Sequence, residues 1–156
     1  MGKKQKVNTG PFWRLMLVIY GGVMLWLLFG RENGWVADIP YREQLRQNAN
    51  LVPFYTIRNY VYVLLHSQSR YMQTHCFINL GGNVLLFIPA GWLFPKIFPR
   101  LRKFFLFIAL CAGVIFLVEV VQLFTLLGSF DIDDMILNLF GMTAGFICYK
   151  ISVSKR

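Results

Sequence analysis

Four long apolar runs alternate with polar segments along this chain. They cover about residues 11–30, 76–94, 104–127 and 132–151, and charged residues are rare within them. A helix rises about 1.5 Å per residue and the hydrocarbon core of a bilayer is about 30 Å thick, so each run is long enough to cross a membrane. The pattern predicts an all-α integral membrane protein with four transmembrane helices, folded as a single domain over residues 1–156.

The segment between the first two runs, residues 31–75, is polar to amphipathic and contains no stretch long enough to span. Apolar side chains recur within it at the spacing of one helix face, at Ile57, Tyr60, Val61, Leu64 and Leu65. This spacing predicts a short amphipathic helix that lies in the membrane interface. Pro53 disfavours helix at the residue before it, so an extended or turn connection is expected just ahead of this helix.

Glycine and proline mark further features of the apolar runs. The glycine pairs at 21–22 and 81–82 are expected to let a neighbouring helix approach closely. Pro89 is expected to kink or end the second helix, and Pro95 and Pro99 are expected to form the turn that follows it.

The composition agrees with a membrane protein and narrows the choice of partners. Hydrophobic residues make up 56% of the chain and charged residues only 15%, which is too apolar for a soluble domain of 156 residues. The net charge of +9 would favour nucleic acid in a soluble protein, but most basic residues here flank the apolar runs, so no nucleic-acid partner is expected. The three cysteines are far apart and lack the spacing of a zinc site, so neither a disulfide nor a metal is implied.

The basic residues also predict an orientation, because Lys and Arg in short loops favour the cytoplasmic side. An N-terminus inside the cell puts eleven of the sixteen basic residues on that side: Lys3, Lys4, Lys6, Arg14, Lys96, Arg100, Arg102, Lys103, Lys150, Lys155 and Arg156. The other five lie in the long first loop. We therefore predict a multi-pass protein of the bacterial cytoplasmic membrane, with both termini cytoplasmic and residues 31–75 outside.

Five polar side chains interrupt the predicted membrane helices at similar depth. They are Asn79 and Asn83 in the second helix, Glu119 and Gln122 in the third, and Asn138 in the fourth. At about 1.5 Å per residue all five lie roughly 5 to 12 Å below the outer ends of their helices, so they share one layer of the outer leaflet. Asp134 and Asn138 also share a helix face with the glycines at 141 and 145, which favour close packing against a neighbouring helix.

These polar residues have structural explanations as well as functional ones. An ionisable group inside a membrane costs about 2.5 to 3.5 kcal/mol, so Glu119 indicates a function and needs either a buried partner or protonation. The amides could form interhelical hydrogen bonds and nothing more. Asp131 is best explained as the N-cap of the fourth helix, paired with Asp134, and both Asp133 and Asp134 would meet the helix dipole favourably.

Several stretches resemble the VanZ-like family of small bacterial membrane proteins. The resemblance is carried by NLVPF at 50–54, NLGGNVLLFIPAG at 79–91, Glu119 with Gln122, and DIDDMILNLFGMTAG at 131–145. These motifs occur in the right order, and the resemblance covers nearly the whole chain after the first helix. Two positions depart from the family pattern: Phe116 stands where a serine is expected, and Phe130 where a basic residue commonly precedes the aspartates. The change at 130 removes the obvious counter-ion for Asp131.

The resemblance implies a role in cell-envelope physiology or in resistance to teicoplanin, a lipoglycopeptide that binds cell-wall precursors at the outer face. We expect the polar layer to bind a membrane lipid, a lipid-linked cell-wall precursor or the drug, without catalysis. The predicted ligand-binding residues are Asn79, Asn83, Glu119, Gln122, Asp133, Asp134 and Asn138. The alternatives are a membrane-embedded enzyme with Glu119, Asp133 or Asp134 as acid and base, and a scaffold for other envelope proteins.

The carboxylates also bear on cofactors. No HExxH pattern and no nucleophile–base pair accompany them, so no cofactor is predicted. The DxDD pattern at Asp131, Asp133 and Asp134 is the one place where a divalent cation could be held weakly, with water completing its shell.

Overall fold

Four long helices and two short ones make up most of the protein that the structure describes. The computed structural model describes residues 10–30 and 34–154. In chain order its elements are α1 (Pro11–Phe29), α2 (Tyr41–Gln47), β1 (Ala49–Asn50), α3 (Tyr55–His66), α4 (Arg70–Ile97), a 3-10 turn (Pro99–Arg102), α5 (Phe104–Thr125), β2 (Phe130–Asp131) and α6 (Ile132–Ser154). By length and composition α1, α4, α5 and α6 are able to cross a membrane. The predicted fold class is confirmed, and the predicted amphipathic helix is α3.

The second spanning helix, α4, starts earlier than the apolar run that predicted it. It begins at Arg70 rather than at Cys76. Ser69 caps it, because its hydroxyl accepts a hydrogen bond from the backbone N–H of Met72 at 3.5 Å. The cap lies in a polar stretch, so the helix extends beyond the part that hydropathy identifies.

Two prolines lie inside α4 without ending it. Pro89 was expected to kink or end the helix, and the helix does not end there. Pro95 was expected in the following turn, but it lies within α4, which ends at Ile97. In the turn before Pro89, the Leu86 carbonyl accepts a hydrogen bond from the Tyr20 hydroxyl of α1 at 2.8 Å. Neighbouring helices of this kind help membrane helices to tolerate proline, because they satisfy backbone groups near the interruption.

Glycines allow α4 and α6 to make the most extensive contact of the bundle. A Cβ added at Gly91, Gly141 or Gly145 would overlap backbone atoms of the other helix, as predicted for the two glycines of α6. The pairs at 21–22 and 81–82 differ, because an added Cβ there would meet nothing within 4 Å. The expectation that these pairs admit a close neighbour was therefore wrong, since no helix within residues 10–30 and 34–154 packs tightly against them.

The core of the bundle lies between α4, α5 and α6. Its buried side chains from these helices and the 3-10 turn are Phe87, Ala90, Leu101, Phe107, Cys111, Ile115, Met142 and Phe146. Helix α1 adds only Met24 to this cluster and lies at its edge. At the end of the bundle where α1 begins, the Lys96 ammonium lies 3.5 Å from the ring centre of Trp13 and 3.8 Å from that of Trp92. These cation–π contacts join α1 to α4.

The segment between α1 and α3 folds over the opposite end of the bundle, where α5 ends and α6 begins; we call it the loop end. Gln44 is buried, and its side chain bonds the backbone of Val36 and Ile39. The Tyr41 hydroxyl donates to the Phe124 carbonyl at 2.7 Å, and β1 pairs in parallel with β2. The segment is therefore anchored to the turn between α5 and α6, a contact that its polar composition did not predict.

The basic residues that predicted the orientation lie, where the structure describes them, at the end of the bundle opposite the loop end. Arg14 lies near the start of α1, Lys96 to Lys103 lie at the junction of α4 and α5, and Lys150 lies in the last part of α6. Lys3, Lys4, Lys6, Lys155 and Arg156 lie outside the described residues. Which end of the bundle faces the cytoplasm stays a prediction.

Candidate functional site

A cavity of about 520 Å³ opens at the loop end, with walls from α1, α3, α4, α5 and α6. Six of the seven predicted ligand-binding residues line it: Asn79, Asn83, Glu119, Gln122, Asp134 and Asn138. The seventh, Asp133, is fully buried and is not among the lining residues. Side chains from three helices, which the sequence placed at one depth, therefore share one cavity.

Glu119 completes the N-terminal cap of α6. Asp131 is the N-cap, because its Oδ1 accepts a hydrogen bond from the backbone N–H of Asp133 at 2.9 Å. In a capping box, the side chain three residues after the N-cap, here Asp134, would bond the N-cap's own N–H. That N–H donates instead to Oε2 of Glu119 at 3.2 Å. Helix α5 thus supplies the second half of the cap, and Asp134 faces the cavity.

Two carboxamides link helices across the cavity wall. Asn83 of α4 donates a hydrogen bond to Asp134 of α6, beside the glycine contact between the two helices. Gln122 of α5 donates to the Leu28 carbonyl, near the end of α1, at 2.9 Å. These bonds join neighbouring spanning helices around the cavity.

Asn138 has an unpaired oxygen at the cavity. Its side chain is only 4% exposed and lines the cavity, and its Oδ1 has no hydrogen-bond partner among the described residues. Buried polar atoms are almost always bonded, and leaving one unpaired costs about 1–3 kcal/mol. The Asn138 side chain is therefore left with an unsatisfied acceptor beside the cavity.

Asp133 joins α6 to the start of α3. Its two carboxylate oxygens accept hydrogen bonds from the backbone N–H groups of Phe54 and Ile57. First-turn N–H groups have no acceptor within their own helix, and Phe54, the N-cap of α3, has no side-chain oxygen to offer. Phe54 also adopts a left-handed conformation with φ of 63°. The structure therefore places Asp133 as a cap supplied by another helix, away from the cavity.

Asn50 of β1 and Thr56 of α3 donate hydrogen bonds to the Asp131 carboxylate. The Thr56 hydroxyl donates to Oδ2 of Asp131 at 2.6 Å, and Asn50 donates to Oδ1 at 3.2 Å. The NLVPF motif at 50–54 is therefore in contact with the DxDD motif. The only sequence signal for this contact is that both motifs carry the family resemblance.

Three cavity residues come from α3 and the start of α4 and were not predicted as site residues: Thr56, Tyr60 and His75. The Tyr60 ring stands edge-on to His75, with 6.2 Å between ring centres, and the His75 carbonyl accepts a hydrogen bond from Asn79 at 2.8 Å. Burial, followed by the nearby Asp134 carboxylate, raises the pKa of Tyr60 above its ordinary value. The helical periodicity identified Tyr60 only as part of an apolar face.

Phe116 and Phe130, the two residues that depart from the family pattern, pack against each other. The rings of Phe116 and Phe130 lie 5.8 Å apart between centres, at 85°. This edge-to-face contact replaces the expected serine and basic residue with an aromatic pair. Asp131 is accordingly held by hydrogen bonds from Asn50 and Thr56.

The three aspartates of the DxDD motif point toward different partners. Asp131 accepts hydrogen bonds from the side chains of Asn50 and Thr56, Asp133 accepts them from backbone N–H groups at the start of α3, and Asp134 accepts one from Asn83. Across residues 10–30 and 34–154, no group of three or more His, Cys, Asp or Glu side chains is placed to hold a metal ion. The chemistry available in the cavity is that of carboxyl, carboxamide and hydroxyl groups and of the His75 imidazole.

Comparison with known proteins identifies the family. No curated protein and no solved structure matches the chain. The VanZ/LLP1 family model matches residues 17–153, nearly the whole chain, and this range includes every residue that lines the cavity. The chain therefore belongs to the VanZ/LLP1 family.

Proposed function

We propose that this protein binds an amphiphile of the bacterial cell envelope in the cavity at its loop end, without catalysis. The observation that carries the proposal is the cavity itself, which measures about 520 Å³ and gathers polar side chains from α4, α5 and α6. Its size lies within the range of small-molecule sites. Polar and ionisable groups at this depth in a membrane protein mark ligand or ion pathways.

A neighbouring groove would take the apolar part of such a ligand. It measures about 350 Å³, lies between α3 and α4, and is lined by Asn59, Tyr60, Val63, Tyr71, Met72, His75 and Cys76. Tyr60 and His75 belong to both linings, so the largely apolar groove adjoins the polar cavity. A molecule with a polar head and a hydrocarbon chain matches this combination.

The orientation predicted from the basic residues would turn the cavity toward the outer leaflet. A cavity there would meet membrane lipids, lipid-linked cell-wall precursors and lipoglycopeptides such as teicoplanin. We propose that binding one of these is how the protein acts in envelope physiology or in drug resistance, for example by holding an acyl-bearing drug away from its target. Membership of the VanZ/LLP1 family supports this proposal.

One contact favours a second candidate, a carboxylate-dependent enzyme that acts on a lipid-linked substrate. The Thr56 hydroxyl lies 2.6 Å from Oδ2 of Asp131, and such a pair of hydroxyl and carboxylate can serve as nucleophile and base. Glu119 and Asp134 would be further acid and base groups in the same cavity. We favour binding, because both oxygens of Asp131 already accept hydrogen bonds that hold α3 and α6 in place.

Glu119→Gln tests the proposal with Glu43→Gln as its matched control. Glutamine keeps the size and one acceptor oxygen of Glu119 while removing its ability to ionise and to transfer a proton. Glu43 on α2 undergoes the same chemical change, but it does not line the cavity. Thermal unfolding of purified protein is followed with and without teicoplanin or envelope lipids. We expect the ligand to stabilise wild-type protein and Glu43→Gln and to have a much smaller effect on Glu119→Gln.

Mass spectrometry of the lipids separates the candidates. A binder leaves the lipid profile unchanged and saturates at a fixed stoichiometry. Consumption of one lipid in many-fold molar excess over protein, abolished in Glu119→Gln, would establish the enzyme instead. Absence of any stabilisation in wild-type protein would refute binding and favour the scaffold.

A further inference from the structure

An apolar groove lies at the end of the bundle opposite the loop end; we call it the distal groove. It measures about 350 Å³ and is lined by α4, the 3-10 turn, α5 and Met142 of α6. Phe98, Leu110 and Val114 line it with exposed fractions of 46%, 47% and 48%, so it opens at the surface of the bundle. Leu110 and Val114 lie roughly 9 and 15 Å from the start of α5, at about 1.5 Å per residue. The distal groove therefore runs along a spanning helix, where hydrocarbon chains surround the protein.

The mouth of the distal groove is basic. Arg100 lines the groove with an exposed side chain, and the exposed Lys103 follows at the end of the same 3-10 turn. No aspartate or glutamate occurs between residues 44 and 118, and the acidic residues that the structure describes lie at the loop end or in the cavity there. The distal groove thus combines an apolar lining with an arginine that is far from every described carboxylate.

Arg102, between these two residues, is directed toward the protein instead. Its Nε–H donates a hydrogen bond to the Pro95 carbonyl at 3.2 Å. This carbonyl is one of the last four of α4, which have no partner within their own helix. The bond holds the 3-10 turn against the end of α4. It therefore fixes the part of the backbone that carries Arg100 at the groove.

We infer that the distal groove binds an anionic phospholipid, with an acyl chain along α5 and the phosphate at Arg100. The inference is independent of the ligand proposed for the cavity at the loop end. A guanidinium pairs with phosphate through two parallel hydrogen bonds, and basic pockets between membrane helices bind anionic head groups. A free phosphate would leave the apolar lining unused, whereas a zwitterionic lipid would bring a cation to a basic mouth. In the predicted orientation this lipid belongs to the cytoplasmic leaflet.

Two lipids with identical acyl chains test the head group: phosphatidylglycerol and phosphatidylcholine. The full-length protein is purified in a non-ionic detergent and titrated with each, and bound lipid is counted by native mass spectrometry. We expect phosphatidylglycerol to bind about tenfold more tightly, because its charge is not offset within the head group. Arg100→Gln is expected to remove this preference. The matched control is Arg14→Gln, which removes an exposed arginine at the same end of the bundle that does not line the groove and should keep the preference.

Val114→Trp tests the groove without changing any charge. Detergent and lipid chains are as apolar as the groove, so the groove contributes the position of the lipid and Arg100 contributes most of the selectivity. A tryptophan ring across the groove would keep the chain out and move the phosphate away from Arg100. We therefore expect Val114→Trp to lower the preference for phosphatidylglycerol about as much as Arg100→Gln does. If thermal unfolding shows that this variant fails to fold, Leu110→Trp on the same helix takes its place.

The outcomes separate this site from a general attraction and from the cavity. Equal effects of Arg100→Gln and Arg14→Gln would show that lipid is drawn to the basic end as a whole and would overturn the inference. An unchanged preference in a folded groove variant would overturn it as well. Protein dimers that dissociate in Val114→Trp would assign the groove to a second copy of the chain instead. Glu119→Gln is expected to leave phosphatidylglycerol binding unchanged, so failure at one site is distinguishable from failure at the other.

Discussion

Replacing Gly145 by alanine tests the contact between α4 and α6 that positions two walls of the cavity. An added Cβ would overlap the Ile88 carbonyl and come within 2.9 Å of the Gly91 Cα. Both obstacles are backbone atoms, which cannot rotate away, so the helices must move apart. Overpacking of this kind costs about 1–3 kcal/mol, whereas alanine gains about 0.5–1 kcal/mol over glycine within a helix. We expect Gly145→Ala to lower the free energy of unfolding by about 1–2 kcal/mol.

The matched control is Gly81→Ala in α4, where an added Cβ meets nothing within 4 Å. Only the gain in helix propensity applies there, so we expect stability to rise by about 0.5–1 kcal/mol. Unfolding by SDS in mixed micelles, followed by circular dichroism, measures both changes. Separating α4 from α6 also strains the Asn83–Asp134 hydrogen bond, so Gly145→Ala is expected to reduce ligand-dependent stabilisation. Equal stability of the two variants would refute the close packing of these helices.

Three further predictions follow from the loop end and from the ends of the helices. Asp133→Ala is expected to cost about 2–4 kcal/mol and to speed hydrogen exchange at the first turn of α3, because two backbone N–H groups there lose their acceptor. Normal protection at these amides would contradict the capping role. An impermeant reagent added outside the cell should label a cysteine placed at Ser129 but not one placed at Arg100. The reverse result would overturn the predicted orientation. The paired change Phe116→Ser with Phe130→Arg should destabilise less than the sum of the single changes, measured by thermal unfolding, because the two rings are in contact.

The spanning helices could be predicted because their signal is local. The length of an apolar run and the rise per residue of a helix are enough to place Asn83, Glu119 and Asn138 in one layer, and all three line the cavity. The bond of Glu119 to the backbone of Asp131, at the start of α6, was not predicted, because the same reasoning placed Glu119 well below the outer ends of the helices. A layer of polar residues can thus be predicted without knowing which helices are neighbours.

Contacts between distant segments could not be predicted in this way. Gly81 and Gly145 both lie in apolar runs, yet only Gly145 faces another backbone, and this depends on how the helices are arranged. Asp133 was predicted as a ligand-binding residue from its position in the first turn of α6, whereas its partners Phe54 and Ile57 lie 79 and 76 residues away along the chain. No periodicity in the sequence encodes such a pairing.

The capping of α3 by Asp133 has a consequence for how the chain is made. Synthesis proceeds from the N-terminus, so α3 leaves the ribosome well before Ile132–Ser154. During that interval its first-turn N–H groups lack their acceptor, and β1 has no β2 to pair with. The segment from Gly34 to His66 can therefore dock only after α6 has entered the membrane. A nascent chain halted before residue 130 would carry this segment exposed to proteases, and resistance to cleavage there would report that insertion of α6 has taken place.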